Sequence, residues 1–217
     1  MYFSAWRNGL QRPIYVPSEL RLIRSLLSRG NFKDAIGELL RLSILGSNSA
    51  AATLGYIALT CDSLQGEDRL QAVRLCRNSA ERGHGYAQYV EAWREYEEGN
   101  MRKFAQWLNR SAKQRFLPAI GDLGRLLIAP PSKIKRHPRV ARQLFRLAMS
   151  SGHLASAVTF FQSCKQGNFG PLYSSIGTLL LPLSILLVTP IMWMLPFSIT
   201  VFAYPAGHKK THVVGQA

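Results

Sequence analysis

Six basic side chains, Lys133, Lys135, Arg136, Arg139, Arg142 and Arg146, crowd into one short stretch and are the densest chemically active group in the chain. Cations at that density bind phosphate. Beside an anionic leaflet each gains on the order of 1 kcal/mol, falling off within a Debye length. The same charges also fit nucleic-acid phosphates or a plain solvated helix face. Helical-repeat proteins that read RNA set polar side chains at fixed repeat positions, and no such pair recurs here, so nucleic acid is not the expected partner. Four carboxylates, Glu91, Glu95, Glu97 and Glu98, share one predicted helix with Arg94 and no histidine. That composition reads as a solvated face, or a docking patch for a basic partner, rather than an acid–base pair. Cys61, Cys76 and Cys164 are odd in number and far apart, which points to buried thiols in a reducing compartment. No Gly-rich phosphate loop, nucleophile elbow or metal-ligand spacing occurs. Neither catalytic, cofactor-binding nor metal-binding residues are expected, and the chain does not read as an enzyme.

The elements that position these groups come from a pattern repeated four times. Ala35, Ala72, Phe104 and Ala141 each stand near the start of a helix, and eleven positions later comes a turn: Gly46-Ser47, Gly83-His84, Arg115-Phe116 and Gly152-His153. The turns lie 37, 32 and 37 residues apart, a period that marks a helical solenoid. One helix pair of that length cannot bury its own apolar face, so each must stack on its neighbours. Leu54-Gly55 and Leu123-Gly124 sit at one offset after their turns, and Ala50, Ala87 and Ala119 at another. Small residues at those places let helix backbones approach closely. Glu91-Ala92 stands where the other units have Leu-Gly. His84 and His153 recur at equivalent turns, which indicates a structural role at the helix junction rather than a metal pair.

The stretch from Ala72 to Tyr89, with Ser79-Ala80-Glu81-Arg82-Gly83-His84-Gly85-Tyr86-Ala87-Gln88-Tyr89, resembles the Sel1-like repeat family, a relative of the tetratricopeptide repeats. The resemblance spans roughly Glu19 to Lys165. It is strongest at Gly83-His84 and Gly152-His153, and departs from the family at Arg115-Phe116 and Glu91-Ala92. It implies an all-α superhelical solenoid of about four helix pairs that acts as an adaptor for other proteins. It also implies that first helices line the concave side, which would offer Tyr56, Tyr89 and Trp93 to a partner segment, core packing being the commoner fate of such residues.

Period and punctuation divide the chain into a leader or cap (1–16), the solenoid (17–165), a hydrophobic segment (166–208) and a basic polar tail (209–217). Ser18 is the expected N-cap of the first helix, and Leu154 to Cys164 is expected to be a final unpaired helix leading into a membrane. From Gln166 to Gly207 there is no charged residue, and Pro171 to Tyr204 is dominated by Leu, Ile, Val, Met, Phe and Trp. A helix crosses the hydrocarbon core in about 20 apolar residues, so this run is expected to be transmembrane or re-entrant. Pro182, Pro190 and Pro196 leave both a kinked single span and a hairpin open.

The formal charge of +15 is uneven: from Leu117 to Lys165 there are eight Lys and Arg against one acid, Asp122. Basic flanks stay on the cytoplasmic side. The expected location is therefore a membrane, the inner one in a bacterium, with the repeats in the cytoplasm. Together these features predict a membrane-tethered protein–protein interaction scaffold. Two alternatives are a basic nucleic-acid-binding repeat protein and an accessory subunit of a membrane enzyme.

Overall fold

The computed structural model describes residues 2–3, 14–61, 64–129 and 135–194, with the backbone alone at 2–3, 14–15, 154–155 and 186–194. Two short strands, β1 (Tyr2–Phe3) and β2 (Ile14–Tyr15), precede the helices α1 (Arg21–Ser28), α2 (Phe32–Ile44), α3 (Asn48–Thr60), α4 (Gly66–Glu81), α5 (Gly85–Glu97), α6 (Met101–Lys113), α7 (Leu117–Ile128), α8 (Pro138–Ser150), α9 (Leu154–Lys165) and α10 (Pro171–Met194). Successive helices pack in pairs, and first helices also touch across pairs, α3 on α5 and α7 on α9. Among the described residues the stack therefore holds five hairpins rather than about four.

The hairpins have two unlike members. Second helices are amphipathic and bury one stripe, Ala35, Leu39 and Ser43 on α2, Ala72, Cys76 and Ala80 on α4, Phe104, Leu108 and Ser111 on α6, and Ala141, Phe145 and Ala148 on α8. Their polar faces point outward. First helices are sandwiched instead: α3 is buried without a break from Ala50 to Ala58, and α5 from Tyr86 to Trp93. Small residues make this enclosure possible. A Cβ on Gly55 would lie 2.5 Å from Cys76 Cβ, and one on Gly124 would lie 3.1 Å from the Phe145 ring. The apolar interior forms two clusters, a large one from Val16 through α7 and a smaller one built on Ile128, Ala141, Phe145, Phe160 and Cys164.

Each junction between hairpins is one motif. Gly46, Gly83 and Gly152 adopt positive φ, and the next residue donates its N–H five positions back: Ser47 to Leu42 O (2.9 Å), His84 to Ser79 O (3.2 Å) and His153 to Ala148 O (2.9 Å). These are Schellman closures, and the donating residue is also the N-cap of the next helix. Ser47 Oγ accepts from Ala50 N, and His84 Nδ1 from Ala87 N at 3.4 Å. Arg115 takes the place of glycine with φ 58°, and Phe116 N donates to Ser111 O at 3.3 Å. The geometry of the motif is kept where its usual residue is not.

At the N-terminal end β1 and β2 pair antiparallel, Tyr2 opposite Tyr15 and Phe3 opposite Ile14. β2 lies along α3, and Val16 joins the core. This small sheet is an addition to an all-α expectation; most of the predicted leader lies outside the described residues. The first helix begins later than expected, at Arg21 with Leu20 as N-cap, while Ser18 sits in the preceding turn closed by Leu20 N on Pro17 O.

The C-terminal end departs further. α9 is not unpaired: α10 turns back at Gly167–Gly170 and packs on it more extensively than any other neighbouring pair. A Cβ on Gly177 would come within 2.7 Å of Phe161 O and 2.6 Å of Cys164 Cβ, and closer still to Lys165 N. Hydropathy does not distinguish a helix buried on its neighbour from one buried in lipid, which is why the N-terminal part of the uncharged run reads as membrane in sequence. Among the described residues no helix is long and apolar enough to cross a membrane. The remainder of the predicted membrane segment, from Leu195, and the tail 209–217 lie outside the described residues.

Two measurements check the junctions. Left-handed backbone costs a non-glycine residue about 1–2 kcal/mol, and the added freedom of glycine in the unfolded chain returns roughly 0.4–1 kcal/mol of that. Arg115→Gly is expected to stabilise the fold by about 0.5–1 kcal/mol in urea denaturation. Burial holds the His84 imidazole below its usual value of 6.5, with Glu19 opposing. The unfolded chain thus takes up this proton first, and stability declines as pH falls below 6.5 until the folded-state pKa is passed. His84→Asn, which retains a capping acceptor, should remove that component of the slope.

Candidate functional site

One of the two irregularities of the repeat, Glu91-Ala92, marks the site. Glu91 occupies the offset filled by Leu54 and Leu123 in neighbouring units, and at 1% exposure it is as buried as a leucine would be. Glu95, one turn on, is 2% exposed. A solvated face was the expectation for this acidic group; the enclosure of first helices overrides it for these two. Arg94 holds the charges. Its Nε and Nη2 donate to Glu91 Oε2 at 3.1 and 2.8 Å, Nη2 lies 3.3 Å from Glu95 Oε1, and Nη1 donates to Glu98 Oε1. Asn100 Nδ2 donates to Glu95 Oε2 at 2.9 Å, and Lys103 Nζ stands 3.8 Å from the same oxygen. Burial works against the Arg94 charge, but hydrogen bonding and attraction from Glu91, Glu98 and Glu95 outweigh it and raise its pKa.

Beside this network opens a pocket of about 240 Å³ between α3, α4 and α5. Gly55, Ala58, Val73, Cys76 and Val90 give it apolar walls, and Arg69, Glu91, Arg94 and Glu98 give it both signs of charge. Gly55 and Cys76 are therefore at once a helix contact and a wall. Burial, and then the Glu91 charge, push the Cys76 thiol well above its ordinary range, so it is a protonated wall atom rather than a nucleophile. Cys61 and Cys164 are likewise buried, Cys164 pushed up to about 11 by burial.

Tyr56, Tyr89 and Trp93 do not line an open concave face. All three are buried, because the first helices that carry them are covered on every side. Tyr89 donates to Asp122 Oδ2 at 2.8 Å across one repeat, Arg125 pairs with the same carboxylate, and Phe116 packs on the rings of Tyr86 and Tyr89. Burial, with Asp122 adding to it, drives the Tyr89 phenol well above its usual range. These aromatics tie one hairpin to the next.

Of the repeat-defining residues, Ala35, Ala72, Ala87 and Ala141 are fully buried and Leu123 is partly so. The two histidines share a position but not a partner: His84 caps a backbone N–H, whereas His153 Nδ1 lies 2.7 Å from Ser156 Oγ. Among the described residues no group of three His, Cys, Asp or Glu is placed to hold a metal ion. Of the basic cluster, Lys133 lies outside the described residues. Lys135, Arg136, Arg139 and Arg146 are exposed, and Arg142 is half-buried. Arg136 Nη2 donates to Asn168 Oδ1 at 2.7 Å and Arg142 Nη1 to Tyr173 Oη at 2.9 Å, so two of the cations clasp the last hairpin. The pocket itself was not foreseen. Its signal in the sequence is the glutamate at a leucine position, with Arg94 three residues on.

The architecture is shared with the crystal structure of a Sel1 repeat protein from Oxalobacter formigenes, at a TM-score of 0.55 and 21% identity over 72% of this chain and 68% of that one. The fold is thus a Sel1-like helical-repeat fold. No family model matches the chain, and no curated protein does.

Removing one partner of a buried ion pair leaves an uncompensated charge, typically costing about 3–5 kcal/mol. Arg94→Ala should destabilise the fold by roughly 3 kcal/mol in urea, while Arg94→Ala combined with Glu91→Leu should recover most of that.

Proposed function

We propose that this chain is a protein–protein interaction scaffold whose partner inserts a side chain or terminus into the pocket between α3, α4 and α5. One observation carries the reading: Glu91, paired with Arg94, occupies the offset that apolar Leu54, Leu123 and Phe160 fill in the other units, and the pair borders a pocket. Local rules of folding are broken mainly where function demands it. Apolar walls with few charges at the mouth suit a short segment held by one anchor and oriented by polar contacts. The fold is consistent with the same role, since stacked hairpins present long surfaces.

The finer reading keeps the scaffold at a membrane through the uncharged segment from Gln166, with the repeats on the cytoplasmic side. The exposed leucines of α10 and the excess of basic residues beside it support this. Confinement to a surface raises the effective concentration of bound partners without new contacts.

Affinity purification of the full chain in mild detergent tests the pocket. Glu91→Leu supplies the residue of the neighbouring repeats and leaves Arg94 paired with Glu95 and Glu98, so it is expected to keep the fold, while Glu98→Lys inverts the mouth. Both should lose, by at least tenfold, a partner that wild type captures, and Lys113→Gln on the outer face of α6 should retain it. Equal capture by all four chains sinks the proposal.

A further inference from the structure

We infer that the outer faces of α8 and α10 form one bipartite surface that seats the stack on an anionic bilayer, apolar side chains at the headgroup boundary and arginines on lipid phosphates. This rests on the membrane reading above and specifies its mode as contact in the plane of the membrane, which needs no crossing helix.

Leu172, Ile176, Leu179 and Leu183 recur at helical spacing and make one stripe on α10; Leu172 is 72% and Leu179 76% exposed. Gly177, on the opposite side, is the residue pressed on α9, so the stripe is not the packing face. Tyr173, next to Leu172, is held by Arg142 through its hydroxyl and by the guanidinium 5.2 Å from its ring centroid. That clasp brings α8, through Arg142, onto the first turn of α10, where Leu172 begins the stripe. Arg139 and Arg146 are exposed on α8, interleaved with exposed Val140 and Leu147. An apolar strip flanked by cations is the pattern of interfacial membrane helices.

Charge selects the occupant. After Asp122 the chain has ten Lys and Arg and no acid, so nothing in this region repels a negative surface. A second copy of the chain, related by a two-fold axis, would bring the same arginines together with no acid between them. Nucleic acid would neutralise the arginines and leave the leucines in water. An anionic bilayer satisfies both halves. A helix face turned to water ordinarily carries polar residues, and the outer face of α10 carries leucines.

The test uses the full-length chain diluted from mild detergent into vesicles of phosphatidylcholine alone or with phosphatidylglycerol, followed by flotation. At about fivefold per cation, Arg139→Gln with Arg146→Gln should weaken binding to the phosphatidylglycerol vesicles about 25-fold and leave phosphatidylcholine binding unchanged. Leu172→Ser with Leu179→Ser should weaken both. An environment-sensitive dye on Leu179→Cys should shift to the blue with both vesicles, at a lower lipid concentration when phosphatidylglycerol is present. Flotation of all variants as well as wild type, with no dye shift, overturns the surface while leaving a tether elsewhere in the chain intact. Failure of the wild-type chain to float on either vesicle overturns both readings. A dye already shielded without lipid in a dimer, or RNA binding lost by the arginine variant without flotation, also overturns the inference.

Discussion

The architecture depends on fusing the end of one hairpin to the start of the next through a shared residue. Ser47, His84, Phe116 and His153 each close the preceding helix by donating a backbone N–H and cap the following helix in the same step. Helix termini otherwise leave several donors and acceptors without partners; here a carbonyl of the preceding helix is met at all four junctions, and an N–H of the following helix by the Ser47 and His84 side chains. A junction that short has little angular freedom. It fixes how each hairpin meets the next, and the small residues Gly55, Ala87, Ala119 and Gly124 answer the resulting close approach. Arg115 demonstrates the strength of the constraint, since the backbone stays left-handed even without glycine.

From that spacing follows the division of labour between helices. The first helices α3 and α5 are enclosed, so most of what they carry is core or the wall of a cavity. Second helices keep a free face, so their charges are available to outside partners. Glu91 and Arg94 lie on an enclosed helix and border a cavity; Arg139 and Arg146 lie on an outer one. The two candidate surfaces are thus chemically separate, one specific and of mixed charge, the other broad and basic. A scaffold that holds a partner with one surface and a support with the other needs that separation.

Much of this was legible in the residues because turn chemistry is local. Gly46, Gly83 and Gly152 announce left-handed turns, and the period places Arg115 among them without any glycine to mark it. The burial of Tyr56, Tyr89 and Trp93 was harder to see, since it depends on how closely a first helix is covered by three neighbours, a tertiary fact. The pairing of α9 with α10 was hidden for a different reason: leucine-rich sequence serves a protein contact and a lipid contact equally well, and the discriminating residue is the single Gly177, between Ile176 and Thr178. Glu91 was visible as a departure from the repeat. Its meaning was not, because charge clusters on helices usually face solvent.

The interior is divided, with one cluster running from Val16 into α7 and another from Ile128 to Phe160 and Cys164, and α7 contributes to both. Local opening takes place in contiguous blocks of buried contacts, so two clusters that meet at α7 make that helix the seam along which one block can open while the other keeps its packing, the closed hairpin junctions holding their relative orientation.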